Sequence, residues 1–133
     1  MTTTRAAARN ERDATQTGPA IATTAATLLG WFFLGAGVMR LLPVPFDVAL
    51  FDSWGLSASF RAAVGVAELA VGALTLRPGW RPVGLIGIGT VMVAAGTVHA
   101  VLDHNMLVAA PLNGGLAAAA FATAWALRAE VAR

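Results

Sequence analysis

The chain has 133 residues, of which 57% are hydrophobic and only 12% charged, with a formal net charge of +2. Soluble domains carry about 25% charged residues, so this chain has too little charge to cover a water-facing surface. It has no Cys, which excludes disulfides, thiolate metal sites and dithiol redox chemistry within the chain. All nine basic residues are Arg, spread along the sequence rather than gathered into a basic patch, so no nucleic-acid footprint is present.

Residues 1–18 form the first segment. They are rich in Thr, Ala and Arg and also carry Glu11 and Asp13. They read as a polar, flexible, cytoplasmic tail. They do not read as a signal peptide, because acids sit in the lead and the apolar run that follows is too long for an h-region.

Residues 19–133 read as the membrane domain. Three runs lack any charge: 14–39, 82–102 and 105–127. Each exceeds the roughly 18 residues that mark a spanning helix. A fourth stretch, 57–76, has the length but contains Arg61 and Glu68. The expected helices therefore occupy about residues 19–42, 57–76, 82–103 and 106–128. The fold expected is an all-α membrane protein, a four-transmembrane-helix antiparallel bundle.

The connections differ in kind. Arg77-Pro78-Gly79-Trp80-Arg81-Pro82 and Asp103-His104-Asn105 are tight turns, which make the helices on either side antiparallel neighbours. Residues 43–56, PVPFDVALFDSWGL, are longer and apolar. They read as an interfacial segment between helices one and two. Phe46, Leu50, Phe51 and Trp54 would lie in the outer interface, with Asp47 and Asp52 turned to water, so that the segment caps the outer mouth of the bundle; a floppy loop is the alternative.

Arg placement sets the orientation. With the N-terminus inside, Arg5, Arg9, Arg12, Arg77, Arg81, Arg128 and Arg133 are cytoplasmic, and only Arg40 and Arg61 are outside. That asymmetry follows the positive-inside rule and makes both termini cytoplasmic. Trp80 and Trp125 then fall at the inner interface and Trp54 at the outer one.

Small and ionisable residues share helix faces at spacings of three, four and seven. These are Gly30, Phe33, Gly37 and Arg40; then Arg61, Gly65, Glu68 and Gly72; then Gly89, Met92, Gly96, His99 and Asp103. Small residues let membrane helices approach closely, and charges need partners rather than lipid, so the three stripes should face one another. Glu68 lies about 16 Å from the outer end of its helix, near the midplane. An ionised carboxylate there requires a cation or hydrogen bonds, and Arg40 or His99 can reach it across the bundle. Asn113, two residues after Pro111, can join at the same level.

Glu68 reads either as an interhelical lock or as a proton or ligand site. Asp103 at four residues from His99 either orients the imidazole or marks a snorkelling helix end. A metal set of His99, Asp103 and His104 is the weaker reading, and none is expected.

The segment Gly35-Ala36-Gly37-Val38-Met39-Arg40, with Trp54-Gly55-Leu56 and the run Gly65-Val66-Ala67-Glu68-Leu69-Ala70-Val71-Gly72, resembles the DoxX/DoxD-like membrane family. The resemblance covers about residues 28–127, and its most specific part is Gly-x-x-Glu-Leu-x-x-Gly. It implies a four-helix protein of a prokaryotic inner membrane, with Glu68 and Arg40 as the family's polar pair. It also implies an accessory or binding role, because some members are linked to quinone-dependent sulfur oxidation and others to complexes handling thiol or oxidative stress. The expected partners are the lipid bilayer and either further copies of the chain or other membrane subunits. Quinone or lipid is the expected ligand class. Haem is not, since paired histidines on facing helices are lacking. A purely structural subunit and a quinone-dependent oxidoreductase component stand as the alternatives.

Overall fold

The computed structural model describes the backbone of residues 2–102 and 106–130 and the side chains of residues 18–102 and 108–129. Within those residues the chain is all helical, with five α-helices and a closing 3-10 turn. In chain order they are α1 (Thr2–Leu41), α2 (Pro45–Ser53), α3 (Ala58–Leu76), α4 (Arg81–Leu102) and α5 (Met106–Leu127). The expected turn at 103–105 lies outside the described residues.

Local chemistry explains the boundaries. Pro45 occupies the first turn of α2, where its missing N–H costs nothing. Ser57 caps α3, its Oγ accepting from the Phe60 amide at 3.2 Å. Gly79, at φ +81°, supplies the left-handed residue that turns α3 into α4. The helix carrying the first span extends through the polar segment to Thr2.

Three helical segments are long and apolar enough to cross a membrane: Gly18–Leu41, Ala58–Leu76 and Arg81–Leu102. Their threonines fit this setting. Thr27, Thr75, Thr90 and Thr97 each return the hydroxyl hydrogen to the carbonyl four residues earlier, so none presents an unsatisfied donor to an apolar surround. Large apolar side chains also point outward, among them Leu28, Trp31, Val66, Ile86, Val93 and Trp125. A hydrocarbon solvent accepts such faces, whereas water would not.

The long helices pack α1 on α3, α3 on α4, α4 on α5 and α1 on α5. The core between them is filled by Ala22, Ala26 and Phe33 of α1, Leu85, Ile88 and Met92 of α4, and Ala117, Ala120, Ala124 and Leu127 of α5. In lipid, association rests on close packing rather than on expelling water. Glycine provides it at the α1–α3 seam. A Cβ on Gly72 would meet the Gly30 carbonyl oxygen at 2.9 Å, and one on Gly37 would meet that of Gly65 at 2.7 Å. Numbers rise along α1 as they fall along α3. This register sets Arg40 beside Gly65, where an added Cβ would lie 3.0 Å from the Arg40 Cβ, and the long Arg40 side chain then reaches Glu68 one turn further along α3.

Segment 43–56 departs from the expected interfacial strip. Phe46 does face outward, but Phe51 is buried, stacked near Trp54 and Phe60 at 5.8 and 6.4 Å between ring centroids. Asp47 does not turn to water. Its side chain is 15% exposed and pairs with two arginines, because α2 begins immediately after the end of α1 and presents its first turn to that end.

Candidate functional site

The site starts at the α1–α3 seam. Glu68 is 1% exposed, and its Oε2 accepts a hydrogen bond from Arg40 Nε at 2.8 Å. Charge-assisted bonds of this kind are roughly twice as strong as neutral ones. Removing Arg40 would strand the Glu68 carboxylate inside the bundle.

Arg40 also reaches upward. Its Nη1 donates to Asp47 Oδ1 at 3.1 Å, and its guanidinium carbon lies 5.5 Å from the centre of the Phe51 ring. One residue of α1 thus ties α3 below to α2 above. Among the described residues its hydrogen bonds use Nε and Nη1, and the Nη2 hydrogens remain for another acceptor.

Arg61 completes the cluster by a different route. It does not touch Glu68. Its Nη1 donates to the Arg40 carbonyl and, at 2.8 Å, to the Leu42 carbonyl, and it lies 3.7 Å from Asp47 Oδ2. The last carbonyls of a helix lack intrahelical partners and carry partial negative charge. Arg61 on α3 therefore caps the C-terminus of α1 and steadies the residue that holds Glu68. Two guanidiniums face two carboxylates, so the cluster is charge-balanced.

The cluster forms a wall between two cavities. The first, of about 200 Å³, lies under α2 between α3 and α4, with Phe51, Trp54, Phe60, Val91 and Ala95 among its lining. The second, of about 370 Å³, lies between α1, α4 and α5, with Phe33, Met92, Asn113 and Leu116 among its lining. Arg40, Leu50, Glu68 and His99 border both. The His99 ring meets the edge of Trp54 at 4.7 Å between centroids, joining the end of α2 to α4 over the first cavity.

The sequence-derived residues are distributed as follows. Arg40 and Glu68 are in contact, and His99 lines the same two cavities. Arg61 is joined to them through Asp47 and the end of α1. Asn113, 8% exposed, lines the second cavity only. Asp103 and His104 lie outside the described residues.

Asp47 and Phe51 are additions that sequence reasoning missed. The available signal was Asp47 standing seven residues after Arg40 and two after a helix-starting proline.

A model of the DoxX-like family matches residues 24–123. No curated protein and no solved structure matches the chain. The match takes in α3, α4 and the clustered ends of α1 and α2, with the Arg40–Glu68 seam inside it. Its extent and the apolar, close-packed helices agree, and this chain is a membrane protein of the DoxX-like family.

Proposed function

We propose that the protein is an accessory or binding subunit of a membrane complex, holding a small lipophilic molecule at the polar wall around Glu68. The observation that carries this reading is the wall itself. A buried Arg40–Glu68 pair borders two cavities at once, beneath an apolar helical cap. Pockets for small molecules combine mostly apolar linings with a few convergent polar groups, and both cavities fit that description. A quinone is the leading candidate, since its ring suits aromatic walls and its carbonyls accept from Arg40.

The frame of the proposal is a four-span antiparallel bundle in a prokaryotic inner membrane, with both termini cytoplasmic. α5 serves as the fourth span: it has 22 residues and no charged residue within its bounds. The bilayer and either further copies of this chain or other membrane subunits are its partners. With no Cys in the chain, any redox role draws its electrons from a partner or from the bound molecule.

The charge balance of the cluster favours a second reading, a purely structural subunit in which the four charges lock α1, α2 and α3 together. The deciding experiment extracts the purified protein, prepared in native lipid discs, and analyses the extract by absorbance and mass spectrometry. The binding reading expects a lipophile enriched over bulk lipid, and less of it in a folded Glu68→Gln variant. An extract identical to bulk lipid would leave the structural reading.

A further inference from the structure

Asn113 is the polar residue in the described part of α5 that sits deepest. It is 8% exposed, on a helix face whose other buried residues are Ala117, Ala120, Ala124 and Leu127. No described residue hydrogen-bonds its amide. The side chain lines the cavity between α1, α4 and α5, the one that also reaches Glu68, Arg40 and His99. α4 leaves room for it with a glycine: a Cβ on Gly96 would lie 3.5 Å from the Asn113 Cβ.

A primary amide offers two donors and two acceptor sites. Leaving it without partners in an apolar interior is costly, and buried polar groups are paired in the great majority of cases. Leu or Ala would fill this position on an apolar helix at no such cost. The amide therefore points to an occupant that hydrogen-bonds.

The charges nearby define what kind of occupant. Arg40 and Arg61 are already matched by Glu68 and Asp47. A phosphate, carboxylate or ammonium entering beside them would bring an unmatched charge into a low-dielectric space, at a cost of several kcal/mol. A neutral carbonyl or hydroxyl brings none. It can accept from the Asn113 amide on one side and from Arg40 Nη2 on the other.

We propose that Asn113 makes the cavity between α1, α4 and α5 the head-group chamber of the site, selective for an uncharged carbonyl- or hydroxyl-bearing head. This rests on the binding reading above and adds the chamber, the residue and the charge of the head. The apolar body then lies toward the exposed side chains of Phe32, Phe46, Val108 and Leu112 at the mouth of the same cavity.

The test uses the full chain in lipid nanodiscs with two probes of similar tail length, decylubiquinone (neutral, two carbonyls) and dodecanoate (anionic). Binding is measured by titration for the unaltered protein, for Asn113→Leu and for Ala118→Leu, an exposed position on α5. Thermal unfolding without probe is recorded alongside. The expected result is saturable decylubiquinone binding that weakens about ten-fold in Asn113→Leu, the worth of one hydrogen bond of about 1.4 kcal/mol. The variant should also melt at an equal or higher temperature, because the unpaired amide is gone. Ala118→Leu, at an exposed position of α5 that lines neither cavity, should bind decylubiquinone as the unaltered protein does.

Equal decylubiquinone affinity in the Asn113→Leu protein would overturn the chamber while leaving a binding protein. Tighter binding of dodecanoate than of decylubiquinone would overturn the neutral head. A lower melting temperature with unchanged affinity would make Asn113 a packing residue. Saturable binding of neither probe would overturn this proposal together with the reading it rests on.

Discussion

A methyl group on Gly37 would sit 2.7 Å from the carbonyl oxygen of Gly65 and 2.8 Å from the Leu69 amide nitrogen. Both are backbone atoms, so no side-chain rotation relieves the clash and α1 must move away from α3. Gly37→Ala should therefore destabilise the protein by about 1–3 kcal/mol, the usual cost of overpacking. Gly35→Ala, two residues away with nothing within 4 Å of the added carbon, should be neutral or slightly stabilising. Thermal unfolding in detergent separates the two. Equal melting temperatures would mean that the seam is looser than this contact requires.

The Arg40–Glu68 pair crosses that seam. Arg40→Gln should cost on the order of 3–5 kcal/mol, because it leaves the buried Glu68 carboxylate without its partner, and Glu68→Gln should cost less, because Arg40 keeps Asp47. The double variant leaves no unmatched charge between α1 and α3 at that level, and should lose less than the sum. A double-mutant cycle reads the coupling directly. Additive losses would show that the two side chains do not depend on each other.

Asp47 holds α2 to the rest of the molecule through Arg40 and Arg61. Asp47→Asn removes a carboxylate facing two guanidiniums and should loosen the helix that covers the first cavity. The expected outcome is faster amide hydrogen exchange across Pro45–Ser53, with exchange in α4 unchanged. Exchange rates in α2 equal to those of the unaltered protein would assign its docking to Phe51 and its aromatic neighbours alone.

Topology is tested by reporter fusions. In the proposed four-span frame, seven arginines (Arg5, Arg9, Arg12, Arg77, Arg81, Arg128 and Arg133) would fall on one side, with Arg40 and Arg61 on the other. A reporter after Arg133 should read cytoplasmic, and one inserted within residues 43–56 should read external. An external signal from the C-terminal fusion would reverse the orientation and remove the basis for the outer cap.

Much of this protein is decided by local chemistry and is legible in the sequence. The charge-free runs specify helices for an apolar solvent, since a backbone in lipid must satisfy itself within the segment. Repeats of glycine and ionisable residues at helical spacing identify the inward faces: Gly30, Gly37, Gly65, Glu68 and Gly72 are all buried. The depth of Glu68 already demands a partner such as Arg40. Register, however, belongs to the assembled molecule. A seven-residue glycine repeat on two helices allows several alignments, and only the packed seam sets Gly37 on Gly65, with Arg40 beside Gly65 and its side chain within reach of Glu68. Segment 43–56 shows the same limit. Its apolar residues suit an interface or an interior equally, and the packed ends of α1 and α3 decide between them by offering Asp47 the Arg40 and Arg61 guanidiniums and Phe51 a place beside Arg40. Arg61 belongs to this group as well. Its role is to satisfy carbonyls at the end of another helix, and those become neighbours only after α1 and α3 have closed on their glycines.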